Sequence, residues 1–178
     1  MRVALWRSDF VGVPPALVWR DWLLEPASLT RRCQRYCTEF RVRVLTQGRQ
    51  AGHCDESRPG RQRVREVLLE CDGQAVIFAH SVLSTARGGP LGRWFARLGQ
   101  RSLGSLLFSH PGFQRGAIEL TRLDSRQALH GRVERALGQS LPTLWARRSR
   151  HAYGQDSVLV TEVFLPAIQQ LSDSRAAR

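Results

Sequence analysis

The sequence predicts an α+β domain built on an antiparallel sheet, and three observations carry that prediction. Strand-like stretches follow one another through short turns, as at Asp72-Gly73 and Gly154-Gln-Asp156, which is how antiparallel neighbours are joined. Helical periodicity gathers at the start and in the middle of the chain. The regular strand-helix-strand alternation of a doubly wound parallel fold is missing. About six strands are expected, with the helices lying as flaps over an internal pocket.

Residues 1–13 read as an N-terminal segment, 14–167 as a single domain and 168–178 as a polar tail. Residues 14–25 begin with two prolines and carry Leu17, Val18, Trp22 and Leu24 at packing positions, a helix that Pro26 ends. Ser28 is placed to cap a second helix over 29–37, whose Leu29, Cys33, Tyr36 and Cys37 share a face. Over 39–46, Phe40, Val42 and Val44 alternate with Arg41 and Arg43, a strand; polar and glycine-rich 47–61 reads as a loop.

Residues 62–71 and 74–84 flank Asp72-Gly73, which favours a type I′ turn, so the two form a hairpin. His80 shares a row with Val76, Phe78 and Val82 and is expected as a hydrogen-bonded core histidine. Two short helical pieces, 91–98 and 102–108, are joined across Gly99 and suit a lid. Residues 113–122 read as a strand with a bulge at Gly116, and 124–141 as a helical excursion marked by Leu129, Val133 and Leu137. A strand over 143–153 then pairs with one over 158–166.

That last strand is apolar on both faces, so it belongs at the centre of the sheet, and Glu162 is its sole ionisable side chain. A buried carboxylate either meets a cation or binds something, because an unpaired charge there costs several kcal/mol. Arg65 is its counterpart on another strand, in a row with Val67, Leu69 and Cys71, and Arg63 at the strand mouth shares that parity. The two charges either neutralise each other or stand apart and hold a ligand that is anionic at one end and hydroxylic at the other.

Bulk composition narrows the classes. A length of 178 residues with 42% hydrophobic content suits one globular domain. No apolar run approaches the roughly 20 residues of a membrane helix, and the N-terminus lacks the apolar core of a signal peptide, so a cytoplasmic protein is expected. The formal charge of +12 would normally point to nucleic acid. Here all 27 basic residues are arginine, with no lysine and no asparagine, a bias that a GC-rich gene explains without a polyanionic partner. Absence of lysine also excludes Schiff-base chemistry and a Walker-type phosphate loop. Cys33, Cys37, Cys54 and Cys71 form no CxxC pair and are expected as free thiols in a reducing compartment.

Several ordered motifs resemble the chorismate lyases. They are Trp22-Leu-Leu-Glu25 with Ser28-Leu-Thr-Arg31, Val64-Arg-Glu-Val-Leu-Leu69 before Asp72-Gly-Gln74, Gly89-Pro-Leu91, and Leu103-Gly-Ser-Leu-Leu-Phe108. The most specific are Leu144-Trp-Ala-Arg-Arg-Ser-Arg150 and Thr161-Glu-Val-Phe-Leu-Pro166. The resemblance spans roughly residues 20–167, a length that suits one domain. It implies cleavage of chorismate to 4-hydroxybenzoate and pyruvate for ubiquinone biosynthesis, with no metal or organic cofactor. It implies Arg65 on the ring carboxylate, Glu162 at the ring hydroxyl, and Leu29 and Leu103 as pocket positions on two flaps. Leu29 stands where the family often has methionine and Ala146 where it commonly has glycine, and 124–141 is longer than in some relatives.

For the second carboxylate of chorismate, Arg147, Arg148 and Arg150 are the candidates, and the sequence does not choose among them. The expected partners are the substrate chorismate and the product 4-hydroxybenzoate, with no nucleic acid, no stable membrane insertion and a monomeric state. Two rival readings are a non-catalytic aromatic-acid sensor and a basic nucleic-acid module. The spread of the arginines along the chain weighs against the second.

Overall fold

The computed structural model describes residues 2–10, 16–51, 61–84 and 89–171. The elements run α1 (Leu17–Leu23), α2 (Leu29–Tyr36), β1 (Phe40–Ala51), β2 (Arg61–Cys71), β3 (Gln74–Ser84), α3 (Pro90–Ala96), α4 (Leu103–Ser109), β4 (Gln114–Arg115), β5 (Glu119–Leu123), α5 (Ala128–Leu137), β6 (Leu144–Tyr153) and β7 (Asp156–Phe164). All ladders are antiparallel. The sheet has seven strands in the order β1-β2-β3-β7-β6-β4, with β5 also on β6. The fold class is therefore α+β, as the turn chemistry predicts. The helix start at Pro14-Pro15, Cys54, Gly88 and the last seven residues of the tail lie outside the described residues.

Two hairpins organise the sheet. Asp72 and Gly73 take φ of 49° and 79°, the left-handed pair that a type I′ turn needs. At the other, Tyr153 pairs with Asp156 around a two-residue turn. Strand β7 lies between β3 and β6, which is why both of its faces are apolar.

One face carries Trp22, Leu23, Leu29 and Cys33 of α1 and α2 against Val67, Leu69 and Phe164, and Leu91, Phe95, Leu103 and Leu107 of α3 and α4 against Leu83 and Val158. The other face carries Leu129 and Val133 of α5 against Leu68, Phe78 and Val163. Here Glu66 receives hydrogen bonds from Arg132 and pairs with His80 Nδ1 at 2.9 Å, so His80 is a bonded core residue. Among the described residues, no helix is long and apolar enough to cross a membrane.

Three expectations are corrected. Strand β1 runs through Gln47 to Ala51, where polarity suggests a loop; the register shifts between Val44 and Thr46, and an edge strand tolerates polar side chains that alternation cannot follow past a bulge. The expected strand over 113–122 is two pieces. Between Arg115↔His151 and Glu119↔Arg148, three residues face two, an extra residue beside Gly116 that reverses which face later side chains take. The polar tail begins later than 168: Ile168 and Leu171 close a helical turn onto the core.

Three cysteines meet where α2 ends against β2. Cys33, Cys37 and Cys71 are free thiols, with Cys37 and Cys71 sulfurs 2.7 Å apart. Burial first, then the hydrogen bond with Cys71, pushes the Cys37 thiol up to about 12.

Candidate active site

A cavity opens between the sheet and the helices α2 and α4. Sheet alternation decides who lines it. On β2, Arg65 shares its face with Val67 and Leu69; on β7, Glu162 shares its face with Val160; on β6, Arg147 and His151 do so two steps apart. Leu29 and Leu103 close the cavity from α2 and α4, each less than a tenth exposed. The structure thus brings Arg65, Glu162, Leu29 and Leu103 to one chamber.

The two flaps touch each other directly. Ser28 caps α2 by accepting from the Arg31 amide, and Thr30 Oγ1 lies 2.6 Å from Ser102 Oγ at the start of α4. Gly104 makes this approach possible, since a Cβ there would sit 3.0 Å from Ser28 Oγ and 3.3 Å from Thr30 Oγ1.

Arg65 and Glu162 do not neutralise each other. In register Arg65 faces Ser81, which faces Val160; Glu162 is two residues further along β7. Two strand spacings and two residues put their Cα atoms roughly 12 Å apart. Arg65, 2% exposed, donates from Nε to Gln47 Oε1 at 3.2 Å and from Nη2 to the carbonyls of Gly99 and Arg101 at 2.9 and 3.0 Å. Gly99 turns with φ of 54°, a backbone state that glycine adopts without strain. These acceptors are neutral, so among the described residues the guanidinium bonds no counter-charge, and burial lowers its pKa from the ordinary value.

Glu162 is not a lone charge. Arg147, 1% exposed, donates from Nε to Glu162 Oε2 at 2.7 Å and from Nη1 to the carbonyls of Leu23 and Glu25. Among the described residues, Glu162 Oε1 receives no hydrogen bond. Of the three arginines left open by the sequence, only Arg147 reaches the cavity. Arg148 pairs with Glu119 at 2.8 Å and covers Trp6 on the opposite face, and Arg150 donates to Ser157 in an exposed position. Ala146 also points away, into the core beneath α5.

Sequence reasoning missed Arg115 and Gln47. Arg115 lines the cavity, donating from Nε to Ser149 Oγ at 3.1 Å and from Nη1 to the Pro26 carbonyl at 2.7 Å, with its guanidinium over the Phe108 ring. Among the described residues it has no carboxylate partner, and its Nη2 makes no hydrogen bond. Burial, then the charge of Arg147, lowers its pKa. Nothing in the sequence marks it, because the extra residue beside Gly116 sets its face. His151, also in the cavity, is held down to about 4 by burial, then by Arg115 and Arg147, and so is neutral at physiological pH.

The charged lining is therefore two guanidiniums that bond no carboxylate among the described residues, Arg65 and Arg115, and one ion pair, Arg147 with Glu162, whose carboxylate also lies near Arg115. Such a chamber favours a small dianion that also offers a hydroxyl to Glu162.

Comparison with known proteins agrees in kind. The family model for chorismate lyase matches residues 1–173. A protein of Dechloromonas aromatica named probable chorismate pyruvate-lyase is 53% identical over 96% of this chain and 99% of its own length. Proteins with the same name from Azoarcus sp. and Nitrosomonas eutropha are 43% and 38% identical, over 86% and 93% of this chain and 87% and 96% of their own lengths.

Proposed function

The chain belongs to the chorismate lyase family, and from that premise we propose that its cavity binds chorismate and eliminates pyruvate to leave 4-hydroxybenzoate. The observation that carries this reading is the pair of guanidiniums in one chamber whose bonded acceptors are all neutral, one for each carboxylate of a diacid. Arg65 clamps the ring carboxylate, for which a planar fork of donors is suited. Arg115 meets the enolpyruvyl carboxylate. Glu162, held by Arg147, leaves Oε1 for the ring hydroxyl.

The chemistry asks little beyond positioning. The C4 proton leaves, its electron pair becomes the last double bond of the aromatic ring, and the C3–O bond breaks to release enolpyruvate, which takes up a proton to become pyruvate. Glu162 is the base nearest that hydroxyl-bearing carbon in this pose. Aromatisation supplies driving force, and the closed flaps keep the reacting pair oriented and dry. Leu29 and Leu103 provide apolar contact with the ring. The product, an aromatic monoacid, serves ubiquinone biosynthesis in a cytoplasmic, monomeric protein.

The test is turnover. Incubation with chorismate should release pyruvate and 4-hydroxybenzoate, and Arg65→Ala should abolish both while the circular dichroism spectrum stays native. Binding of chorismate without pyruvate release would instead make the domain an aromatic-acid sensor.

A further inference from the structure

Arg115 is the group that separates substrate from product. Chorismate has a second carboxylate for it, whereas 4-hydroxybenzoate has none. What holds Arg115 in place is therefore a determinant of selectivity. Its Nε ends on Ser149 Oγ at 3.1 Å, and Ser149 Oγ in turn lies 3.2 Å from His151 Nε2. Ser149 and His151 are each 3% exposed. The ladder sets Arg115 directly opposite His151.

From this chain, and resting on the reading of the cavity above, we infer that His151 is a positioning residue: through Ser149 it orients Arg115 toward the enolpyruvyl carboxylate and so favours chorismate over 4-hydroxybenzoate. The serine hydroxyl has a single hydrogen. The Arg115 N–H must donate to Oγ, so the hydroxyl hydrogen is left for an acceptor. His151 Nε2 is that acceptor in the neutral imidazole protonated on Nδ1. With the hydroxyl turned to His151, its lone pairs face Arg115. Nη1 is tied to the Pro26 carbonyl, and Nη2 remains for the ligand. Remove the acceptor, and the hydroxyl is free to rotate and present its hydrogen to the guanidinium.

The groups around His151 give it no other ionic role. Arg115 on β4 and Arg147 on its own strand are cations, Val158 faces it from β7, and the Phe108 ring of α4 lies edge-on at 5.6 Å between centroids. Glu162, the carboxylate of the cavity, is engaged by Arg147.

The experiment compares His151→Leu, His151→Gln and Ser149→Ala with the wild type, reading chorismate kinetics and, by calorimetry, 4-hydroxybenzoate binding. His151→Leu should raise KM for chorismate roughly tenfold, the size of one charge-assisted hydrogen bond, with most of the loss in KM rather than kcat. The Kd for 4-hydroxybenzoate should move less than about twofold, because that ligand does not use Arg115. His151→Gln, whose amide oxygen can accept at the same place, should recover most of the loss. If His151→Leu does not fold, Ser149→Ala must show the same selective change. An unchanged KM, an equal weakening of substrate and product, or no recovery in His151→Gln would overturn the inference. A wild-type protein that releases no pyruvate would overturn the underlying reading instead.

Discussion

At the scale of single residues, burial and partner explain each side chain of the site. Arg65 is fixed by Gln47 and two carbonyls, none of which cancels its charge. Arg65→Lys should therefore fail nearly as badly as Arg65→Ala, since an ammonium cannot keep those bonds and clamp a carboxylate in the same plane. A drop in kcat/KM of at least about a hundredfold in steady-state assays is expected. Glu162→Gln keeps the shape and removes the base, so kcat should fall by a similar order while 4-hydroxybenzoate still binds. Arg65 and Glu162 were legible in the sequence because each is a charge set among the apolar residues of its strand row. Arg115 was not, since a one-residue bulge decides which way it faces, and Gln47 was not, since a polar edge strand looks like a loop. Of the sequence's candidates for the second carboxylate, Arg147, Arg148 and Arg150, the phase of β6 turns only Arg147 to the cavity, where it is bonded to Glu162.

At the scale of elements, the flaps and the face behind the sheet have separate jobs. Gly104 lets α4 approach the hydroxyls of α2; Gly104→Val should force the flaps apart and weaken 4-hydroxybenzoate binding at least about fivefold by calorimetry, with little loss of thermal stability. Behind the sheet, the hydrogen bonds and charges of His80 and Arg132 hold Glu66 down to about 2 against the burial that would raise it. A carboxylate whose folded pKa is depressed stabilises above its unfolded value, near 4.5, and that stability is lost as pH falls toward 2. Glu66→Gln should cost about 2 kcal/mol at neutral pH and flatten acid destabilisation between about pH 5 and 2 in urea melts. The hairpins, the cap at Ser28 and the helix positions were legible because local turn and capping chemistry dictates them. The length of β1 and the packing of Ile168 and Leu171 depend on distant neighbours.

At the scale of the whole molecule, the question is what a charge of +12 is for. The arginines do not serve one surface. Arg148, Arg132, Arg126 and Arg43 are paired with carboxylates at scattered places, and Arg65 and Arg115 line the cavity. Nucleic acid should therefore bind only weakly and be released between about 50 and 200 mM salt, while chorismate turnover over that range changes less than about twofold, because charges in an enclosed cavity are little screened.

The central claim is that this cavity holds both carboxylates of chorismate and lets the ring aromatise. The most direct measurement quantifies pyruvate and 4-hydroxybenzoate together after mixing the purified, metal-free protein with chorismate. Equal amounts of the two, absent in a folded Arg65→Ala variant, are predicted. Chorismate left intact by the wild type, or turned over as fast by Arg65→Ala, would contradict the account.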